Sequence, residues 1–215
     1  MTLTREEFRQ AGDTVGGWRR PLLISHTRPD GDALGCLIAM RSILRLVGAA
    51  PTAVTLDPVP PKYSLFRENE PLAVWGDDVT PADLARVDGV LIMDACTYDQ
   101  LESISDWLRR AQCPKVVVDH HVTRDPLADR YLIDDSVGAA CEILYEWADA
   151  CKWEIDAVAR EALFVGMATD TGWFRFANTG ARSMEIAAEL IRRGVVPDTL
   201  YRRIYESDSV ARVRL

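Results

Sequence analysis

The three histidines of the chain stand beside carboxylates, each close to the end of an apolar run. His26 directly follows PLLIS and precedes TRPDGD, which contributes Asp30 and Asp32. His120 and His121 directly follow KVVVD. Imidazoles and carboxylates without a pair of thiolates form a ligand set typical of Mn²⁺, with Mg²⁺, Co²⁺ or Fe²⁺ as alternatives. These residue types therefore indicate a divalent metal site.

Short, continuous apolar runs predict the buried parallel strands that must position these side chains. The runs are PLLIS (21–25), TAVTLD (52–57), GVLIMD (89–94) and KVVVD (115–119), with PLAVW (71–75) and RYLID (130–134) as weaker candidates. Residues 32–48 and 101–111, between these runs, carry apolar residues at helical spacing. Strands that alternate with helices predict an α/β fold with a doubly wound, mostly parallel sheet flanked by helices.

The remaining helices are predicted at the two ends of the chain. Thr4 and Glu7 have the spacing of a capping box and predict that the first helix starts there. After Asp135 the pattern predicts helices only, at 136–150, 156–170, 180–194 and from 197 to the last residue. Ser136 and Asp156 are the expected N-caps of two of these helices. The C-terminal part is therefore expected to be helical.

In an open α/β sheet, ligands bind outside the carboxyl ends of the strands. Asp94 and Asp119 end predicted strands, and His26 and the histidine pair directly follow such strands. Asp170 ends a helix that could reach the same crevice. So many carboxylates repel one another unless cations compensate them. The donors exceed what one ion needs, and a pair of ions roughly 3.5–4 Å apart serves in-line displacement at phosphorus. The sequence thus predicts phosphoester hydrolysis.

Four motifs in register resemble those of one family. HTRPDGDALG, the strand-end Asp94, DHH and DTGWF are similar to the motifs of the DHH phosphoesterase superfamily, most of all its bacterial oligoribonuclease (nanoRNase) and pAp phosphatase branch. The resemblance covers residues 18–205. It implies an enzyme with two Mn²⁺ ions (Mg²⁺ or Co²⁺ possible) and a hydroxide bridging them. Such an enzyme hydrolyses short oligoribonucleotides to nucleoside monophosphates, or 3′-phosphoadenosine 5′-phosphate (pAp) to AMP.

The resemblance also implies roles for particular residues. Two ion sites share one bridging carboxylate: the first is formed by His26, Asp30 and Asp94, and the second by Asp32, Asp94, His120 and Asp170. His121 is expected to face the substrate phosphate as a donor, and Asp119 to orient an imidazole, so His121, Asp119 and Asp94 are the expected catalytic residues. Independently of the resemblance, Arg175, Asn178 and Arg182 are expected to touch phosphate or ribose, because they lie near Asp170 in the sequence and arginine commonly binds phosphate.

Members of this branch carry a second domain, DHHA1, with a glycine-rich substrate-binding motif, and the sequence shows no such segment. We therefore expect residues 1–195 to form the catalytic domain. Residues 196–215 are expected to be a helical linker or truncated end leading to a missing DHHA1 domain. In addition, Cys36 and Cys141 stand where relatives often have serine, an exchange expected to affect packing only.

Composition limits the partners. The formal charge of −8 argues against non-specific attraction to long duplex DNA or an anionic membrane. The expected partner is a short oligoribonucleotide or a small phosphorylated nucleotide, and a homodimer is left open. Five cysteines without CxxC pairing indicate reduced thiols and a cytoplasmic location. No apolar stretch is long enough to predict a membrane span.

Three alternatives to this function stay open. Two are enzymatic: a pyrophosphatase or exopolyphosphatase, and a phosphodiesterase of cyclic or linear dinucleotides. The third is an inactive module that binds metal or nucleotide without turnover, an alternative that the missing second domain supports. Phosphate release from the different substrates would separate them.

Overall fold

A computed structural model describes residues 3–67 and 71–206 of the chain. Six parallel strands form its one described sheet: β1 (Pro21–Ile24), β2 (Thr52–Thr55), β3 (Ala73–Val74), β4 (Gly89–Met93), β5 (Lys115–Asp119) and β6 (Arg130–Ile133). All six coincide with predicted strands, although 71–75 contributes only the two residues of β3. The prediction of an α/β fold with a doubly wound sheet is confirmed.

Both faces of the sheet are covered, which explains why its strands are apolar without interruption. Leu23 and Leu91 enter the core beneath one face, whereas Leu22 and Ile92 enter the core beneath the other. Neighbouring side chains of a strand point to opposite faces, so a strand covered on both faces needs an apolar residue at every position. The two cores hold the strand ends, and thereby the residues that follow them, in a fixed register.

Seven α-helices and three short helical turns complete the described fold. The α-helices are α1 (Arg5–Gly16), α2 (Gly31–Leu46), α3 (Ser105–Arg110), α4 (Ala140–Cys151), α5 (Ala157–Asp170), α6 (Ala181–Arg192) and α7 (Pro197–Tyr201). The turns are 3₁₀ segments at Pro61–Arg67 and Asp99–Ile104 and a π turn at Arg202–Glu206. The predicted capping box of Thr4 and Glu7 and the predicted N-cap at Asp156 are confirmed.

Two helix predictions were wrong in their boundaries. The predicted helix 101–111 is α-helical only in part, because its first residues belong to the 3₁₀ turn Asp99–Ile104 and α3 begins at Ser105 and ends at Arg110. The helix expected to start after Ser136 begins at Ala140 instead. The backbone N–H and the hydroxyl of Ser136 donate hydrogen bonds to Asp134 Oδ1, so Ser136 does not cap the helix. The helix predicted from 197 continues to Glu206, and its residues 207–215 lie outside the described part of the chain.

The predicted domain boundary between residues 195 and 196 stays a prediction. In the described ranges, no helix combines the length and the apolar character needed to cross a membrane.

The strands lie in the order β3-β2-β1-β4-β5-β6, and the point from which the chain builds the sheet outward to either side lies between β1 and β4. On one side of this point the chain proceeds outward through β2 and β3, and on the other side through β5 and β6. The loops that follow β1 and β4 therefore diverge, and a crevice opens above the carboxyl ends of these two strands. The order is the one that doubly wound nucleotide-binding sheets use, and the crevice is the expected ligand site.

Candidate metal centre

His26 and Asp94 flank the crevice between β1 and β4. Ile24 pairs with Ile92 at the ends of these strands, so both functional residues lie two positions beyond a fixed register. His26 Nε2 lies 3.3 Å from Asp94 Oδ2. Asp94 adopts a left-handed backbone with φ 53°, which is uncommon outside glycine and is often found at functional sites. Its N–H still donates to Val118 O of the neighbouring strand, which holds the carboxylate in place.

Asp30 completes a first cluster with His26 and Asp94. It is the N-cap of α2, where its Oδ1 accepts hydrogen bonds from two backbone amides, and it lies 3.8 Å from His26 Nε2. The other ring nitrogen, His26 Nδ1, lies 2.6 Å from the carbonyl of Thr27. A carbonyl only accepts, so Nδ1 must carry a proton and Nε2 is the atom turned to the carboxylates. This is the arrangement of a ligating histidine.

A second cluster contains Asp32, His120 and Asp170. His120 Nε2 lies 3.4 Å from Asp170 Oδ2 and 3.6 Å from Asp94 Oδ1. Each oxygen of Asp94 therefore faces a different histidine. Asp32 is fully buried, and its two oxygens accept the backbone amides of Ala140 and of the next residue at the start of α4. This contact, across 108 residues of chain, explains why α4 begins at Ala140.

His121 belongs to a different arrangement. Its Nδ1 lies 2.8 Å from Oδ1 of the fully buried Asp119, and the same oxygen accepts the backbone N–H groups of His120 and His121. These hydrogen bonds from His121 outweigh burial and lower the pKa of Asp119. The hydrogen bond to Asp119 in turn raises the pKa of His121. About half of the His121 side chain is exposed, whereas that of His120 is largely buried.

The pKa values show that the centre carries unbalanced negative charge. Burial opposes protonation of His26, but hydrogen bonds to Asp30 and Asp94 raise its pKa to about 11. The pKa of His120 rises to about 9, again against burial, because of Asp94 and the surrounding carboxylates. Burial and the neighbouring carboxylates raise the pKa of Asp32. In the metal-free protein, these groups therefore hold protons that partly balance the negative charge of the carboxylates.

The donor set fits divalent cations. Within each of the two clusters the candidate ligand atoms lie within 4.8 Å of one another. Carboxylate oxygen and imidazole nitrogen suit Mn²⁺ and similar ions. The same spacing also joins Asp94, Asp119, His120 and His121, which leaves His121 as a further candidate ligand. The structure thus brings all six residues that the sequence suggested as ligands into one site.

Two thiols lie beneath this site. Cys36 Sγ and Cys141 Sγ are 3.5 Å apart and contact Asp32. Burial raises the pKa of both thiols, which favours their neutral, protonated form in the metal-free protein. A packing role, as the sequence suggested, agrees with their position between α2 and α4.

A cavity of about 470 Å³ opens over the centre. Its lining consists of side chains from the loops after β1, β4 and β5 and from the end of α5: His26, Thr27, Arg28, Asp30, Asp94, Asp99, Gln100, His121 and Asp170. Arg28 and Gln100 were not singled out from the sequence. The signal for Arg28 was its place inside HTRPDGD, whereas nothing in the sequence distinguishes Gln100.

The three expected substrate contacts lie elsewhere. Arg175 donates through Nε to the carbonyl of Gly172. Asn178 donates to the carbonyls of Gly138 and Asp170 and so ties two loops together. None of the three expected residues lines the cavity over the centre.

The third expected contact, Arg182, is engaged in ion pairs. Its guanidinium pairs with Glu146 and Glu185. The substrate roles of Arg175, Asn178 and Arg182 therefore stay predictions to which this geometry adds no support.

Comparison with known proteins places the chain among relatives of similar sequence and fold. Residues 21–167 match the DHH family, N-terminal domain. The chain is 28% identical over 199 residues to the bifunctional oligoribonuclease and PAP phosphatase NrnA of Bacillus subtilis (strain 168), an alignment covering 90% of this chain and 59% of that protein. The chain thus spans little more than half the length of this relative.

Two solved structures share the fold. An exopolyphosphatase-related protein from Bacteroides fragilis superposes with a TM-score of 0.92 at 18% identity, covering 98% of this chain and 63% of the other. The exonuclease RecJ bound to manganese superposes with a TM-score of 0.53 at 18% identity, covering 90% of this chain and 49% of the other. At these identities the likeness concerns the fold.

Proposed function

The chain belongs to the DHH family, and we propose that it is a metal-dependent phosphoesterase that cleaves short oligoribonucleotides and pAp. The observation that carries the proposal is the position of Asp94, whose two oxygens face His26 and His120 respectively. A carboxylate presented in this way is suited to join two cations. The name of the Bacillus relative, an oligoribonuclease and PAP phosphatase, supports the choice of substrates.

The proposed ligands follow the two clusters. His26, Asp30 and Asp94 would hold one ion, and Asp32, Asp94, His120 and Asp170 the other. Mn²⁺ is the proposed metal, supported by the donor set and by the manganese in the RecJ structure. Bound there, a pair of such ions would act as Lewis acids toward the phosphate and lower the pKa of water.

His121, oriented by Asp119, is the side chain that we assign to the substrate phosphate. The hydrogen bond to Asp119 occupies His121 Nδ1, so Nε2 is the ring nitrogen left to meet a phosphate oxygen. We assign His121 to donate a hydrogen bond to that oxygen as negative charge develops in the transition state. Asp119 fixes the orientation of the His121 ring, because its Oδ1 accepts hydrogen bonds from His121 Nδ1 and from the backbone N–H of His120. Asp94, Asp119 and His121 are therefore the proposed catalytic residues.

Incubating the purified protein with Mn²⁺ and pAp, pApA or short RNA tests the proposal. We expect release of AMP and other nucleoside monophosphates. Protein that has taken up metal and yet cleaves none of these substrates would refute the proposed function. Such a result would favour a module that binds without turnover.

Hydrolysis of pyrophosphate or polyphosphate is the second candidate. The observation in its favour is the lining of the cavity, whose described side chains can bind metal or phosphate and include no phenylalanine, tyrosine or tryptophan to stack on a base. Phosphate release from pyrophosphate and tripolyphosphate, measured beside AMP release from pAp, distinguishes the two candidates. We expect pAp to be cleaved with the higher kcat/KM.

The remaining proposals concern the setting of the enzyme. The negative formal charge of −8 supports small nucleotide substrates rather than long duplex DNA or a membrane. Five free cysteines support a reducing, cytoplasmic location. Dimerisation stays an open prediction.

A further inference from the structure

Arg28 is the one arginine that lines the cavity over the candidate metal centre, and no lysine lines it among the described residues. The other charged groups of the lining are carboxylates and imidazoles. Arg28 is exposed, and within the described ranges its guanidinium has no ion-pair or hydrogen-bond partner. An arginine beside several carboxylates that pairs with none of them keeps its five donors free.

The backbone around Arg28 is fixed. Arg28 adopts a left-handed conformation with φ 53° immediately before a proline, where helical conformations are disfavoured. Its N–H donates to Asp57 Oδ2 at 2.6 Å, and the N–H of Thr27 donates to the carbonyl of Gln100 at 2.8 Å. The loops after β2 and β4 thus hold this segment from both sides, and the side chain leaves from a defined point of the cavity wall.

Gln100 provides a second donor on the same wall. Its Oε1 accepts hydrogen bonds from the backbone N–H groups of Cys96 and Thr97 and from the Thr97 hydroxyl, at 2.9–3.0 Å. Backbone N–H groups require an acceptor, so this atom must be oxygen, and the orientation of the amide is determined. The Nε2 group has no partner among the described residues and is available to a ligand in the cavity that Gln100 lines.

From these contacts we infer that Arg28 and Gln100 form an anion subsite that binds a phosphate group of the substrate. Guanidinium binds phosphate through paired, charge-assisted hydrogen bonds, and the carboxamide adds a neutral donor from a neighbouring loop. The carboxylates of the cavity would repel a phosphate by themselves, and the positive charge of Arg28 reduces that repulsion at the part of the cavity that Arg28 lines. The inference rests on the proposed function for the identity of the ligand.

Binding of inorganic phosphate to the Mn²⁺-loaded protein, measured by calorimetry, tests the subsite. Arg28→Ala is expected to raise the Kd at least about tenfold, the effect of losing a hydrogen bond to a charged group. Arg28→Lys is expected to recover part of the loss, because it keeps the charge but not the fork of donors. KM for pAp is expected to rise in parallel with bound manganese unchanged, and a greater loss in KM than in kcat marks a binding role.

Gln100→Glu is the sharper variant. Glutamate keeps the acceptor that holds the loop and replaces the free amide with a second oxygen, so folding is preserved while phosphate is repelled. We expect the Kd for phosphate to rise about tenfold without a change in Tm of more than a few degrees. Arg110→Ala serves as the matched control, for which we expect unchanged phosphate binding. Arg110 is an exposed arginine at the end of α3, before the amino-terminal end of β5.

A phosphate Kd within about twofold of the parent in Arg28→Ala and in Gln100→Glu would overturn the subsite, since charge-assisted bonds contribute far more. A parent protein that binds no phosphate would overturn it as well. A parent that binds phosphate through these residues but cleaves neither pAp nor pApA would remove the proposed function and leave the subsite standing. The two failures are therefore distinguishable.

Discussion

The Oδ1 atom of Asp119 accepts a hydrogen bond from His121 Nδ1 at 2.8 Å, and Asp119 is fully buried. The contact fixes which ring nitrogen of His121 remains for the substrate. It also separates the two neighbouring histidines by role: His120 Nε2 faces Asp94 and Asp170, whereas His121 is held at the edge of the cavity. The proposed mechanism depends on this separation.

We predict that His121→Ala retains the metal and loses turnover. Removing a positioned donor is expected to lower kcat by about 10²–10³-fold, because no other described imidazole of the cavity is free for the phosphate. Bound manganese per chain and kcat for pAp, measured on the same preparation, test this. Loss of metal in this variant would show that His121 is a ligand, in line with its closeness to Asp94.

We predict that Asp94→Asn disables both ion sites at once. The carboxylate faces His26 and His120 through different oxygens, so one substitution removes a charged donor from each cluster. Mutating a residue that only hydrogen-bonds to a metal ligand typically lowers metal affinity by about 10–100-fold. We expect a larger loss of affinity here, together with loss of activity. Asp106→Asn, an exposed carboxylate on α3, is the control. Activity within about tenfold of the parent, a difference of only 1.4 kcal/mol, would contradict the bridging role.

We predict that manganese binds more tightly as the pH rises from about 6 to about 9. In the metal-free protein the pKa of His26 is about 11 and that of His120 about 9, both raised by the carboxylates around them. Both rings are therefore protonated at neutral pH, and a cation must displace those protons to reach Nε2. Calorimetry in buffers of different ionisation enthalpy counts the protons released. An affinity independent of pH would argue against these histidines as ligands.

We predict that Gly35→Ala destabilises the fold. A Cβ at Gly35 would lie 2.6 Å from the carbonyl of Ala162 and 3.0 Å from Cys141 Sγ, where α2 crosses α5. Overpacking of this kind costs about 1–3 kcal/mol, measured as a lower free energy of unfolding in urea. Gly16→Ala near the end of α1, where only Trp153 comes within ordinary contact distance, is the control. Equal stabilities would show that the crossing tolerates a methyl group.

Much of this site could be predicted because it depends on local patterns. The strands were predictable from apolar runs that are buried on both faces, and residues placed just after parallel strands, such as His26 and Asp94, must share one edge of the sheet. Asp170 was harder, because it ends a helix rather than a strand, and its assignment depended on that position and on the resemblance of the DTGWF motif. The fold itself then brings it within 3.4 Å of His120.

Other features depend on contacts that are distant in sequence. The start of α4 at Ala140 is set by Asp32, which accepts its first amides, and local capping rules favoured Ser136 instead. Gln100 faces the cavity because its oxygen is engaged by the loop after β4. Arg182 suggested a phosphate contact by its type and its nearness to Asp170 in the sequence, and its pairing with Glu146 was not visible there.

The number of manganese ions bound per chain tests the central claim most directly. The protein is freed of metal, loaded with Mn²⁺, passed through a desalting column and analysed for metal and protein. We expect about two ions per chain, as a two-metal site requires, and an electron paramagnetic resonance spectrum of a coupled pair. A single ion, or none, would contradict the account.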